Sequence, residues 1–361
     1  MNASLLKRLD GIAGPLLARV FGKRGGLPDP FAPRSALFIR PGGIGDAVLL
    51  VPALRALQAA YPACRIDILA ETRNASVFAF CPFIRNVHRY DTPSGFCAAL
   101  RGGYDVVIDT EQWYRLSAVV ARLTRAPVLV GFATNDRGRL FTHPIPYARD
   151  QYEARSFFRL LEPLGVSAPA GIDTPFLTLP AASVEAAKGL LSPLSGKPFV
   201  TLFPGASVAQ KQWGAENFKA VAVKLAALGM GVLIVGGEDT RAVGEEIAGG
   251  GVALNLAGRA SLLETAALIG KGRVLVSGDS GVLHIAAGLG TPTVSLFGPS
   301  DPRKWGPKGE QHQVLSFKAP CAPCSRFGTI PPCADSVRCL SGITVAEVVA
   351  AVERSFGREA D

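Results

Sequence analysis

The sequence has no uncharged apolar run approaching the roughly 18–20 residues that a bilayer-crossing helix requires; its richest apolar stretch, residues 47–61, is interrupted by Arg55 and Gln58. A membrane span is not expected. The first residues also lack the order of a secretory signal, because Lys7, Arg8 and Asp10 break any apolar centre and no small-residue cleavage site follows one. The expected location is cytoplasmic. Charged residues make up only 19%, yet 48% apolar content and a mean hydropathy of +0.26 describe a well-filled core rather than disorder. There is no zinc-finger, RNP or helix-turn-helix signature, so the net charge of +9 is not read as nucleic-acid binding. Phosphorylated sugars and anionic lipids suit it without such a motif.

At 361 residues the chain has room for about two domains, each with its own core. Much of the excess charge sits early: in residues 1–40 seven Lys and Arg oppose two Asp, a net of +5. Residues 4–21 place Leu5, Leu6, Leu9, Ile12, Leu16, Leu17 and Val20 at helical spacing among Lys7, Arg8 and Arg19. Two readings stand for this basic amphipathic helix: packing on its own domain, or docking at a membrane interface. Gly25, Gly26, Pro28, Pro30 and Pro33 then break it.

From residue 36 short β-rich runs alternate with helical ones, with strands expected at 36–40, 65–70 and 105–109 and helices at 46–61, 113–125 and 152–164. After a Pro- and Ala-rich stretch the alternation resumes. Strands are expected at 199–203, 232–235, 273–277 and 293–297, with helices at 215–228, 241–248, 262–269 and 282–289. Alternation of this kind gives parallel sheets covered by helices, so the fold class is α/β with two doubly wound halves joined near 165–195. Ligands in such folds gather at the carboxyl ends of strands, which makes a cleft between two facing halves the expected site.

Three turns carry the chemistry. The first strand runs into Pro41-Gly42-Gly43-Ile44-Gly45-Asp46 and a helix, the position of a phosphate-binding turn, but a dinucleotide fingerprint needs a third small residue where Val48 stands. A nicotinamide oxidoreductase is disfavoured on that ground. Asp46 reads either as a reactive carboxylate or as the cap of its helix. In the second half, Gly278-Asp279-Ser280-Gly281 opens a helix containing His284, and such a start offers free N–H groups and a positive dipole end to an anion. His284 alone also fits a hydrogen-bonded structural histidine. The third turn, Phe203-Pro204-Gly205-Ala206-Ser207, precedes Lys211-Gln212-Trp213; a lone Lys is commonly a solvated charge, but here it can balance a departing diphosphate.

Taken together, RPGGIGDAVLLVPALRAL, FPGAS with its downstream KQW, and SGDSGVLHIAAGLGTPTVSLFGPSDP resemble glycosyltransferase family 9, the ADP-heptose:lipopolysaccharide heptosyltransferases. The similarity runs from residue 36 to the last helix. It implies a GT-B architecture, two Rossmann-like domains with the acceptor on the first and the nucleotide-sugar on the second. It further implies inverting, metal-independent transfer with no cofactor beyond an ADP-heptose-like donor. On this basis the domains are 1–34 (basic helix and linker), 35–175 (acceptor), 176–340 (donor) and 341–361 (a final helix packing back on the first domain).

Residue by residue, Asp46 matches the family's proposed general base, with Gly42, Gly43 and Gly45 forming the turn around it. Lys211 matches the lysine on the donor diphosphate, and Ser207 belongs to the same donor-side motif. Asp279, Ser280, Gly281 and His284 match the donor-binding Asp-[Ser/Thr]-Gly-x-x-His, and Glu238 resembles the acidic residue that holds the ribose, a role open to Asp239 too. The chemistry agrees: inverting transfer needs one carboxylate for the hydroxyl proton and an electropositive cradle for the leaving diphosphate. No Asp-x-Asp occurs to anchor a metal-bridged diphosphate. The expected acceptor is a lipid-linked anionic glycan, with peripheral contact at the cytoplasmic face of the inner membrane. The competing class is a catalytically inactive nucleotide-sugar-binding protein with a regulatory or scaffolding role. Finally, Cys321, Cys324, Cys333 and Cys339 have a spacing open to a structural zinc site, free thiols or a facultative disulfide.

Overall fold

The computed structural model describes residues 10–11, 14–16 and 32–356. Most of the expected N-terminal helix and the last five residues therefore lie outside the described residues. The chain divides into two compact units, Met1–Ile172 and Asp173–Asp361, against the expected division between 175 and 176. Among the described residues no helix is long and apolar enough to cross a membrane.

In the first unit, β1 (Ser35–Arg40), β2 (Arg65–Ala70), β3 (Ile84–Arg89), β4 (Val106–Asp109), β5 (Val128–Phe132) and β6 (His143–Ile145) form one parallel sheet in the order β3-β2-β1-β4-β5-β6. The middles of the central strands are apolar because both faces are covered: Leu37, Ile39, Val107 and Leu129 lie in one core cluster with Leu69 and Phe141. Helices α1 (Ile44–Ala60), α2 (Pro93–Leu100), α3 (Arg115–Leu123) and α4 (Glu153–Arg159) connect or flank these strands. The order reverses between β1 and β4, whose registers bring Ile39 beside Asp109, so the loops leaving both strands emerge side by side. That is the switch point at which open α/β sheets bind ligands.

The second unit repeats the plan. Strands β7 (Phe199–Phe203), β8 (Gly231–Ile234), β9 (Leu254–Asn255), β10 (Val274–Gly278), β11 (Thr293–Phe297) and β12 (His312–Ser316) run parallel in the order β12-β11-β10-β7-β8-β9. Its helices are α5 (Ala181–Leu190), α6 (Ala215–Ala227), α7 (Arg241–Ala248), α8 (Leu262–Lys271), α9 (Gly281–Gly288) and α10 (Val345–Phe356). The switch point falls between β7 and β10, where Ser277 pairs with Phe203. Helix α5 occupies part of the stretch expected to be linker.

Helix α10 was expected on the first domain and packs instead within the second. Val348, Ala351 and Val352 are fully buried in a cluster with Val200, Phe218, Val276 and Leu296, and neighbouring Trp213 donates its indole N–H to the Ile343 carbonyl at 3.0 Å. Each of the two valines contributes roughly 1.5–3 kcal/mol when fully buried, and this stripe is buried within its own unit.

Candidate active site

In the first unit the glycine turn after β1 begins with Gly42 at φ +101°, a conformation that favours glycine, and its N–H donates to Glu71 Oε1 at 3.0 Å. Gly43 is the N-cap of α1. Asp46 therefore stands third in the helix, in its first turn, and Gly43 rather than Asp46 is the cap. Its side chain is 24% exposed. Oδ1 accepts from Gln112 Nε2 at 3.1 Å, and Arg40 Nη1 is 4.0 Å away.

Around Asp46 lies a polar cluster that motif reading did not find. Arg40, at the end of β1, is 1% exposed; it donates to the Thr110 carbonyl at 3.0 Å and reaches Glu111 Oε2 at 3.5 Å. Glu111, just past β4, accepts on Oε1 from the backbone N–H groups of Gln112 (3.0 Å), Trp113 (2.9 Å) and Tyr114 (3.3 Å). Burial pushes the Glu111 carboxyl above its ordinary range, against the pull of the Arg40 and Arg137 guanidinium groups. Arg137 is fully buried, binds Asp109 Oδ2 at 2.6 Å and also donates to the Glu111 carbonyl. Glu153, at the start of α4, accepts from Gln112 Nε2 at 2.7 Å and from the Tyr147 hydroxyl at 2.9 Å. The Tyr147 hydroxyl is pushed far up by burial and by the nearby carboxylates, Glu153 foremost, so it stays protonated and donates. The signal that could have exposed this cluster is the polar run Asp109-Thr110-Glu111-Gln112 at the carboxyl end of an apolar strand beside β1.

In the second unit the structure gathers Lys211, Asp279 and His284. Lys211 Nζ lies 2.5 Å from Asp279 Oδ2, and His284 Nε2 lies 3.9 Å from Asp279 Oδ1. Burial opposes the charge on Asp279, but the Lys211 ammonium and the His284 imidazole outweigh it and hold the carboxyl below its usual range. Ser280 is the N-cap of α9, accepting from the Leu283 N–H at 3.2 Å, and its hydroxyl meets Ser277 Oγ at 2.8 Å. Gly281 opens the helix. His284 is 2% exposed.

Two expected donor residues stand apart from this group. Ser207 is exposed on the loop after β7. Glu238, beyond β8, has a side chain 72% exposed and paired with Arg241 at 3.3 Å. The cavity beside it, about 200 Å³, is lined by Pro204, Gly205, Ala206, Gln212, Asp239 and Thr240, so Asp239 rather than Glu238 faces the enclosed space. Gly205 is required there: a Cβ would sit 2.7 Å from Thr240 Oγ1 and 2.8 Å from the Phe203 ring.

The cysteine loop is tied to the segment after β11, where the backbone N–H groups of Cys324 and Ser325 both donate to the Pro299 carbonyl at 2.9 Å. All seven cysteines are free thiols, and among the described residues no group of three His, Cys, Asp or Glu could hold a metal ion, so the zinc reading of Cys321, Cys324, Cys333 and Cys339 has no assembled ligand set. A cavity of about 460 Å³ lies there, lined by Cys321, Cys324 and Arg326, and holds none of the site residues above.

Two six-stranded parallel sheets, each with charged side chains gathered at its switch point, give the chain an α/β fold of the GT-B kind. Residues 96–334 match glycosyltransferase family 9 (heptosyltransferase), and the chain belongs to that family. It is 26% identical over 306 residues to lipooligosaccharide heptosyltransferase 2 of Haemophilus influenzae, covering 77% of this chain and 87% of that protein. It is 29% identical over 287 residues to a lipopolysaccharide heptosyltransferase 3 of Escherichia coli, covering 73% and 83%. The solved structure of E. coli ADP-heptose lps heptosyltransferase II superimposes with a TM-score of 0.75 at 22% identity, over 89% of this chain and 98% of that one.

Proposed function

We propose that this glycosyltransferase moves a heptose or related sugar from an ADP-sugar to a lipopolysaccharide core acceptor, with inversion and without a metal. The observation that carries the reading is the Lys211–Asp279–His284 cluster at the start of α9. An ammonium held beside a helix N-terminus can turn toward a diphosphate, and its attraction grows as the glycosidic bond breaks and charge collects on the leaving group. The relatives' names supply the donor and acceptor class.

In the proposed step, the acceptor oxygen attacks the anomeric carbon from the face opposite the diphosphate. Its proton passes to the Asp46 carboxylate, and the electron pair of the anomeric C–O bond leaves with ADP. Lys211 and the N–H groups at Gly281 receive that charge, Asp279 fixes Lys211, and Asp239, lining the cavity after β8, is placed to meet the nucleoside. The absence of Asp-x-Asp from the sequence supports metal independence. The basic N-terminal region supports an anionic, lipid-linked acceptor reached at the cytoplasmic face of the inner membrane.

The test is a donor panel. ADP-heptose should raise thermal stability more than other nucleotide-sugars and, with lipopolysaccharide core, release ADP at a rate that EDTA leaves unchanged. Loss of turnover in EDTA with recovery on adding magnesium would refute metal independence. Absence of turnover despite ADP-heptose binding would favour the inactive binding protein.

A further inference from the structure

Gln112 belongs to no motif, yet its side-chain amide sits between two carboxylates. One Nε2 contact goes to Asp46 Oδ1 at 3.1 Å and the other to Glu153 Oε1 at 2.7 Å. An amide nitrogen carries two hydrogens, so both are in use. Glu153 is fully buried and is itself fixed by Tyr147.

Gln112 is 9% exposed, and its backbone is fixed at both ends. Its N–H donates to Glu111 Oε1 at 3.0 Å, and its carbonyl accepts from Thr134 Oγ1 at 2.5 Å. The loop beyond it is tied down by Asn135, which donates to the Trp113 carbonyl at 2.6 Å. Rotating the amide away would leave buried Glu153 short of a donor, an unfavourable state for a buried charged acceptor. Asp46 also has a charged neighbour, Arg40, whose Nη1 lies 4.0 Å from Oδ1, an ion pair at its outer limit and beyond hydrogen-bond range, so the amide of Gln112 is the direct hydrogen bond to that oxygen.

We infer that Gln112 is a positioning residue for the transfer: it holds Asp46 by Oδ1 and so presents Oδ2 to the acceptor hydroxyl. This rests on Asp46 being the base. A base swung out of line loses rate while ground-state binding of the donor is untouched, because orientation is a large share of what the enzyme supplies.

A double-mutant cycle tests it, using ADP-heptose as donor and delipidated lipopolysaccharide core as acceptor. Gln112→Met keeps the length and removes both donors; kcat should fall roughly 10- to 100-fold while the Kd for ADP-heptose stays within twofold of wild type. Asp46→Asn should fall at least about 100-fold, and the double variant should be no slower than Asp46→Asn alone, since there is then no base to orient. Wild-type kcat in Gln112→Met, or a double variant slowed by the product of the two single effects, would overturn the role of Gln112. Near-normal turnover in Asp46→Asn would overturn the base assignment itself, a separate result.

Gln112→Glu guards against a folding defect. The new carboxyl would face Asp46 and Glu153, with Tyr147, Glu111 and Arg40 next to them, and when ionised it cannot donate. Its kcat relative to wild type should rise as pH falls from 8 to 6 and the carboxyl regains a proton. A ratio flat with pH would mark a merely structural loss and overturn the proposal.

Discussion

The two units share one topology and load it differently. In each, the fourth strand in sequence order, β4 or β10, lies beside the first, and the loop that leaves it holds acidic residues. After β4 the backbone turns so that three successive N–H groups point at one anion, and the chain supplies that anion itself: Glu111 Oε1. After β10 the acidic residue Asp279 faces Lys211 instead, and Ser280 meets the Leu283 N–H at the head of α9. A concave group of N–H donors is an anion site in either case. In the first unit a built-in carboxylate fills it and rigidifies the loop that carries Gln112. In the second the charge beside it is a lysine, able to exchange one anionic partner for another.

The comparison breaks most visibly in kinetics. Asp46→Asn should reduce kcat by about 100-fold or more with the Kd for ADP-heptose unchanged, because Asn removes the proposed base from a unit to which donor binding is not assigned. Lys211→Ala should weaken donor binding and slow transfer together, by roughly 10- to 100-fold in kcat/KM, because its charge is proposed to meet the diphosphate in both ground and transition states. Measuring both constants in both variants checks the division of labour. Equal damage to donor Kd in the two would show that the units are not specialised in this way.

Acid should sharpen the difference through stability. His312, on β12, is 9% exposed, its Nδ1 lies 3.0 Å from Thr293 Oγ1 and its buried Nε2 has no partner. Burial pushes its pKa down from 6.5 to about 4. The unfolded chain therefore takes up a proton near pH 6.5, whereas the folded chain resists until about 4. Stability from this group is whole above 6.5, is lost as pH falls from 6.5 toward 4, and levels below that. The loss should be roughly 2–4 kcal/mol, confined to the second unit. Hydrogen exchange at pH 7 and 5 should show weaker protection in β11 and β12 in the wild type, and His312→Gln should flatten that dependence.

Strands that are buried on both faces were legible because they are short, charge-free runs rich in apolar and β-branched residues: Phe199–Phe203 and Thr293–Phe297 have the bounds expected of them. The edge strands β3 and β12 were not, since Ile84–Arg89 and His312–Ser316 mix charged or polar residues with apolar ones and leave much of their surface open. Strand β5, Val128–Phe132, was missed although it is as apolar and as long as strands that were found, and its glycine, Gly131, interrupts the run. The site divides the same way. Asp46, Lys211, Asp279, Ser280 and His284 stand in local motifs whose glycine turns and helix starts announce them. Gln112 and Glu153 do not, because their meaning lies in contacts 66 and 41 residues apart in sequence, which only the sheet order creates.

The smallest expected effect decides between the two readings of the N-terminal segment. Asp10 is 3% exposed, and its Oδ1 accepts from the backbone N–H groups of Arg115 at 2.6 Å and Leu116 at 2.7 Å. Those are the first residues of α3, whose N-cap Tyr114 does not cap the helix with its side chain, so a residue more than a hundred positions earlier supplies the cap. The cap sits directly after the loop carrying Glu111 and Gln112, which favours packing on the segment's own unit. Leu16 nearby is 65% exposed, a side chain a membrane contact would use. Asp10→Ala should cost about 1 kcal/mol, a shift of roughly 2–4 °C in Tm for a unit of this size, while Asp10→Asn, still an acceptor, should cost less. If packing is the role, Asp10→Ala should raise KM equally for membrane-embedded and delipidated acceptor. If Tm is unchanged and only the membrane-embedded acceptor suffers, with an effect that fades at high salt, the segment is a lipid contact and the cap is incidental.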